Sequence, residues 1–362
     1  MACENMKIVI ARRDSLTHID GVSMFIANLA KGLRALGHEV ALMSWGLLSL
    51  PGNYSSFEEF AEKVYGLKGV DVITIVKGIV KSHREPRVSI DWLLWGGRAL
   101  RKWGADAVII NGVVPLTFRP RLIVLHDVSK FASRFKLSVY RALYNSYDLV
   151  TCMSEKARLE AEGAGIRCDA VTYSLVDLTA FSPRPLDERK RLVVHIGTRG
   201  VKNLDVSIAA IKLLRDEGYD LKLAVVGTEA SSSVRRMLGY VPDWIVPLDY
   251  ISQETKADLL SRALALLLPS SHEAFSLTAV EAMASGTPPV VSEAVPNEVV
   301  IDGYNGLRVR ELSPRAFADA VKALLADEDL WRRLSLNGIE FARRFDMIEV
   351  AKKYEKLIKK LL

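Results

Sequence analysis

The chain has 362 residues, about half of them apolar and a quarter charged, and its net charge is +6. At roughly 100–200 residues per domain this length points to two domains, and the composition excludes a disordered or collagen-like chain. The charge-free stretches fall well short of the ~18 apolar residues of a spanning helix, so no segment is expected to cross a membrane. Lys7–Ala11 reads as the first strand. The residues before it carry Glu4 and no long apolar run, so no secretory leader is expected, and Met6 is an equally good start. Val22–Leu36 sets Phe25, Ile26, Leu29, Leu33 and Leu36 at helical spacing ahead of Gly37, a good helix stop. Val40–Met43, Ala107–Ile110, Leu122–Leu125 and Leu149–Thr151 read as further strands. Continuous apolar strands separated by helices predict a parallel sheet covered on both faces.

The pattern restarts at Leu192–Ile196. A helix over Asp205–Glu217 follows, then strands at Leu221–Val226, Leu264–Leu268 and Pro289–Val291. Asp177–Lys190, with Pro183 and Pro185, reads as the linker between two α/β units. Ile348–Leu362 is an amphipathic helix with no place in the second unit.

Cys3, Cys152 and Cys168 are an odd, sparse set without CxxC spacing. That argues against a disulfide scaffold or a zinc site and for a cytoplasmic protein. The single glutamine, Gln253, suits a hot source. The positive charge is uneven: from Lys77 to Arg141 there are 13 Lys/Arg against four acids. This excess could attract nucleic acid, anionic lipid or a phosphorylated substrate. It includes Lys77, Lys81, Arg84 and Arg87, then Trp92-Leu93-Leu94-Trp95, then Arg98, Arg101 and Lys102. Tryptophans beside cations suit a membrane interface. The plain alternative makes Trp92 and Trp95 core residues and the cations a solvated face.

Neither GxGxxG nor GxxxxGK[ST] occurs, and HExxH and GxSxG are also missing. The informative stretch is Pro269–Pro288, which follows a strand and opens a helix. Ligands of α/β sheets bind at the carboxyl ends of strands, and a helix N-terminus favours phosphate. Glu273 lies in the loop and Glu281 about one turn inside the helix, where carboxylates can accept hydrogen bonds from sugar hydroxyls. The alternative is that Glu273 caps the helix and Glu281 is solvated. Arg199 and Lys202, after the strand ending at Ile196, can neutralise a diphosphate or be plain surface charge. Gly21 can let backbone approach a phosphate, or simply make a turn. Asp327-Glu328-Asp329 has a DxD look but precedes a helical run, as a cap would.

Pro269, Ser270, Glu273, Phe275, Leu277, Glu281, Ala282, Met283, Ala284, Gly286 and Pro288 together resemble the EX7E signature of retaining nucleotide-sugar glycosyltransferases of family four, the glycosyl transferases group 1. Ala274 and Ser276 stand where that family usually has glycine. Other segments agree in order. Asp20-Gly21-Val22 resembles a Gly-Gly turn, and Gly37-His38-Glu39-Val40 the family's GHEV. His126-Asp127 resembles the active-site histidine segment, Asp148–Glu155 the sixth-strand segment, Val176–Pro183 the linker, and Gly197–Asn203 the G-R…K-N turn. Only about Gly46–Lys102 carries no family motif.

The resemblance implies an α/β protein of the GT-B fold, two Rossmann-like parallel-sheet domains facing across a cleft. Residues 1–181 would bind acceptor, 182–345 would bind the nucleotide-sugar, and 346–362 would be a helix crossing back to the N-terminal domain. It implies a retaining, metal-independent glycosyltransferase with a nucleotide-diphospho-sugar as co-substrate and no other cofactor. Its acceptor would be a sugar, or a lipid-linked or phosphorylated group. By resemblance Glu273 takes donor-sugar hydroxyls, Glu281 the ribose, and His126 the transferred sugar. Arg199 and Lys202 take the diphosphate, and backbone at Gly21, Phe275, Ser276 and Leu277 meets the phosphates and sugar. Backbone at Ile251 reads the base. Cytoplasmic location, with peripheral contact at the inner membrane face, is the matching expectation. The alternatives are a same-fold sugar-nucleotide epimerase or phosphorylase, or a non-catalytic binder of anionic ligands or nucleic acid. Against nucleic acid, no RNP-like aromatic motif or KH-type GxxG loop occurs in a suitable context.

Overall fold

The computed structural model describes residues 5–50, 54–78, 85–126, 134–189, 191–249 and 251–362. Cys3, Lys81, Arg84, Asp127, Lys190 and Tyr250 lie outside the described residues. The chain divides into two compact units, Met1–Leu175 with Asp346–Leu362, and Val176–Phe345.

The first unit runs β1 (Lys7–Arg12), α1 (Gly21–Ala35), β2 (Glu39–Ser44), α2 (Phe57–Tyr65), β3 (Asp71–Thr74), α3 (Arg87–Asp91), a π-helical turn (Trp92–Gly96) and α4 (Gly97–Trp103). Then come β4 (Ala107–Asn111), β5 (Arg121–Leu125), α5 (Arg134–Asn145), β6 (Leu149–Cys152), α6 (Glu155–Gly163) and β7 (Ala170–Val171). Its sheet has the order β3-β2-β1-β4-β5-β6-β7, parallel throughout. The inner strands are buried on both faces, which is why they read as continuous apolar runs.

Two expectations are corrected here. Cys152 and Cys168 form a disulfide, with Cα atoms 6.0 Å apart. The sequence shows no paired-cysteine motif because the two residues stand 16 positions apart, with α6 between them. The parallel pairing of Cys152 with Val171 then returns the chain to the same place. Trp92 and Trp95 also part company. The π-turn keeps Val88, Trp92, Gly96 and Leu100 buried and turns Leu93, Leu94 and Trp95 outward.

The second unit runs β8 (Leu192–Ile196), α7 (Leu204–Asp216), β9 (Lys222–Val226), α8 (Ala230–Leu238), β10 (Ile245–Leu248), α9 (Gln253–Ser261), β11 (Ala265–Leu268) and α10 (Leu277–Ala284). It ends with β12 (Pro289–Ser292), β13 (Leu307–Val309), α11 (Pro314–Ala326) and α12 (Glu328–Ala342). The strand order is β10-β9-β8-β11-β12-β13, again parallel. In both sheets the winding reverses beside the first strand of the unit. Such a switch point opens a crevice at the strand carboxyl ends.

The chain then re-enters the first unit as α13 (Met347–Lys359), which packs on α1. The approach is close at Gly32, where a Cβ would come within 2.5 Å of the Met347 carbonyl oxygen. Phe25 meets Tyr354 edge-on at 6.1 Å, and the Tyr354 and Thr172 hydroxyls lie 2.7 Å apart. Among the described residues no helix is long and apolar enough to cross a membrane.

Candidate functional site

In the second unit the switch point falls between β8 and β11, and the loops leaving these strands are bonded together. Asn203 Nδ2 donates to the Pro269 carbonyl at 2.7 Å, and the Ser271 amide donates to the Val201 carbonyl at 2.8 Å. Lys202 Nζ reaches Glu273 Oε1 at 2.5 Å, with both side chains 12% exposed, and Ser270 Oγ donates to the same oxygen at 2.9 Å. Glu273 is therefore held by the two loops. The cap position belongs to Ser276, which makes no side-chain cap bond.

Backbone shape serves this arrangement. Gly197 has φ +110°, and a Cβ there would come within 2.9 Å of Lys202 Cγ. His195 fixes that turn: Nε2 donates to the Gly197 carbonyl and Nδ1 accepts from Ser207 Oγ, both at 2.8 Å. Burial pushes the His195 pKa down to about 4, against the Gly197 bond and helped by the Lys202 charge. The unfolded chain takes up this proton near pH 6.5 and the folded chain does not. Stability is therefore full above pH 6.5 and falls as the pH drops towards 4, by about 3 kcal/mol from this group. Urea unfolding at pH 7 and pH 4.5 should give a flatter dependence for His195→Gln than for the natural chain.

Ser276 sits at φ +99°, ψ +81°, in the left-handed region. A side chain there is strained by about 1–3 kcal/mol. Ser276→Gly is expected to raise stability by about 1 kcal/mol net of glycine's chain entropy, read as a higher melting temperature. Phe275, just before it, is buried against Phe345 with ring centroids 5.1 Å apart.

Glu281 is not a solvated helix residue. It is 5% exposed, its Oε1 accepts from Lys256 Nζ at 2.6 Å, and its buried Oε2 has no hydrogen-bond partner. Lys256 comes from α9, which packs on α10 and begins just after the half-buried Ile251. An acceptor oxygen left open inside protein suits a ligand hydroxyl. Arg199 is exposed and forms no ion pair among the described residues. Asp327, in the DxD look-alike, accepts from the Leu330 amide and caps α12.

Gly21 and His126 belong to the first unit. Gly21 is the first residue of α1, with open space where a Cβ would stand. Asp20 before it caps the helix by accepting from the Ser23 amide, and both its oxygens accept from Arg12 at 2.8 Å. Arg12, buried at the end of β1, holds the Asp20 carboxyl well below the usual carboxylate range, against burial. His126 Nε2 donates to Asn111 Oδ1 at 2.7 Å, and its ring stands edge-on to Phe25 at 5.2 Å. The structure thus brings together Lys202 with Glu273, and Glu281 with the unforeseen Lys256. No sequence signal singled out Lys256, because its buried partner stands 25 positions away in the chain.

The model of the Glycosyltransferase Family 4 matches residues 19–180, and that of Glycosyl transferases group 1 matches residues 179–341. A GDP-mannose-dependent alpha-(1-6)-phosphatidylinositol dimannoside mannosyltransferase of Mycobacterium tuberculosis is 31% identical over 257 residues, covering 65% of this chain and 64% of that protein. A D-inositol 3-phosphate glycosyltransferase of Nocardia farcinica is 33% identical over 160 residues, covering 40% of this chain and 34% of that protein. The chain thus matches less than two thirds of the length of either relative. Among solved structures, sucrose-phosphate synthase of Thermosynechococcus elongatus superposes with a TM-score of 0.79 at 19% identity, covering 99% of both chains. Anabaena HepE, in complex with UDP and glucose, gives 0.75 at 18% identity, covering 99% of this chain and 100% of its own. These likenesses give the fold, GT-B.

Proposed function

The chain belongs to the glycosyl transferases group 1 family, and on that premise we propose that it transfers a sugar from a nucleotide-diphospho-sugar to an acceptor with retention of configuration. The observation that carries this reading is the pair of lysine-held glutamates flanking the start of α10, one of them with a buried acceptor oxygen left open. The second unit takes the donor. Glu281 accepts from the ribose hydroxyls, backbone at Ile251 reads the base, and Glu273 accepts from hydroxyls of the transferred sugar. The amides of Phe275, Ser276 and Leu277 meet the sugar and phosphates at the positive end of α10. Arg199 and Lys202 neutralise the leaving diphosphate, with Lys202 bridging it to Glu273. In the first unit, Gly21 lets backbone approach a phosphate and His126 meets the transferred sugar.

The acceptor hydroxyl enters on the side of the leaving diphosphate, whose oxygen takes the proton, so no side-chain nucleophile is required. Two cations at the diphosphate supply the charge that a metal would otherwise provide. Chelator is therefore expected to leave transfer unchanged, and activity that vanishes in EDTA and returns with Mn²⁺ would overturn the metal-independent reading. Acceptors of the two named relatives, a phosphatidylinositol dimannoside and an inositol phosphate, support a lipid-linked or phosphorylated acceptor, and with it peripheral contact at the inner face of the membrane. Labelled nucleotide-sugars test the central claim. Slow release of free sugar with retained configuration is expected. An epimerised donor would favour the epimerase reading, and stabilisation by nucleotide without any turnover a non-catalytic binder.

A further inference from the structure

Helix α3, the π-turn and α4 form one continuous rod over Arg87–Trp103, in the part of the chain that carries no family motif. Its inner side is fixed. Trp92 is fully buried, and its Nε1 donates to the Arg13 carbonyl at 2.8 Å. A Cβ on Gly96 would press within 2.9 Å of both Leu116 and the Trp92 ring. The outer side is apolar. Ile90, Leu93, Leu94 and Trp95 are each 47–55% exposed. The π-turn accounts for this grouping, since the wider turn presents three consecutive residues outward between buried Trp92 and buried Gly96.

Charge borders the apolar cluster on one side. Arg98 stacks over the Trp95 ring, its guanidinium carbon 5.1 Å from the centroid. Arg98, Arg101 and Lys102 are exposed and form no ion pair among the described residues. Asp91, the sole acid between Arg87 and Lys102, is turned away, accepting from Trp45 Nε1 at 2.8 Å and lying 3.6 Å from Arg87. A rigid helix with leucines and a tryptophan outward, beside cations without acids, matches a negatively charged bilayer. The apolar side chains enter the headgroup–acyl boundary, and the arginines and lysine stay at the phosphates. A protein interface, by contrast, is depleted of lysine, and Lys102 borders this cluster.

We propose that the outer face of Arg87–Trp103 seats the protein on an anionic lipid surface. This deepens the lipid-acceptor reading above by assigning the contact to one helix. The test is flotation with vesicles of roughly 30% phosphatidylglycerol in phosphatidylcholine, against phosphatidylcholine alone, at ~50 mM and ~300 mM salt. The natural chain is expected to partition at least about tenfold better onto the anionic vesicles, and to lose most of that preference at the higher salt. The combined Leu93→Ser, Leu94→Ser, Trp95→Ser variant, altered only at exposed positions, should cease to float. The combined Arg98→Ser, Arg101→Ser variant should lose only the preference for anionic vesicles.

No flotation of the natural chain at low salt overturns the proposal, as does a triple variant that floats equally well. A natural chain that self-associates through this face, with the triple variant monomeric, also overturns it in favour of a second copy. Release of sugar from the donor without vesicles is read in parallel. It should be the same in all variants, so its absence in every chain would count against the glycosyltransferase reading and not against the bilayer surface.

Discussion

Glu281→Gln is expected to weaken binding of nucleoside diphosphate by roughly 10- to 100-fold, the effect of losing one charge-assisted hydrogen bond worth about 1.5–3 kcal/mol. Glutamine keeps an oxygen for Lys256 Nζ, 2.6 Å away in the natural chain, so the fold should survive. It also removes the charge that makes the open Oε2 a strong acceptor. Lys256→Met should reproduce part of the loss, because Glu281 then stands buried without its cation. Glu273→Gln should act differently. Its carboxylate is assigned to the transferred sugar, so turnover should fall more than nucleotide affinity. Calorimetric titration with the nucleoside diphosphate separates the two. Equal affinity in the natural chain and Glu281→Gln would remove the ribose assignment.

Arg189→Ala is expected to destabilise the second unit by about 3–5 kcal/mol. The Arg189 guanidinium donates to the carbonyls of Arg184, Ala263 and Ser285 and to Thr287 Oγ1, at 2.6–3.0 Å. It also stacks on Trp331, 4.7 Å from the ring centroid. Alanine leaves these buried or half-buried acceptors unsatisfied at one stroke, and each costs about 1 kcal/mol or more. Lysine should rescue little, since a point ammonium cannot reproduce a planar fork. Burial and the neighbouring Arg184 push the Arg189 pKa down to about 10, still above neutrality, so the cation persists. Denaturant unfolding should show the loss, and a midpoint within experimental error of the natural chain would refute it.

The inner strands are legible in the sequence because both their faces are buried and every residue is apolar, as in Ala107–Asn111 up to its last position. The edges are not. β3 is four residues, Asp71 exposed and the other three half-buried, β7 is two, β13 is three, and β10 carries Pro247, which an edge strand tolerates. Nothing in so short a run separates strand from loop. At the site, the spacing of Glu273 and Glu281 is visible, and so is a cation at Lys202. What spacing cannot give is who neutralises whom: Lys202 faces Glu273 across 71 positions and Lys256 faces Glu281 across 25. Arg189 lay inside the expected linker, where proline and charge suggest solvent, yet its fork is a fastening point. The Cys152–Cys168 bond was hidden for the same reason, since tertiary return, not local pattern, brings the sulfurs together.

The return of α13 to the first unit has a consequence for how the chain is made. Translation delivers β1 to β7, then the whole second unit, and only afterwards the helix whose Met347 backbone and Ala351 lie against Gly32 and whose Tyr354 lies against Phe25. During synthesis the first unit therefore waits, with one apolar flank of α1 uncovered, while all of Val176–Phe345 emerges and folds. The order of completion inverts the order of appearance: the unit made second finishes first. A nascent chain arrested between the two units exposes that flank to chaperones and proteases, whereas one released after Lys359 has closed it.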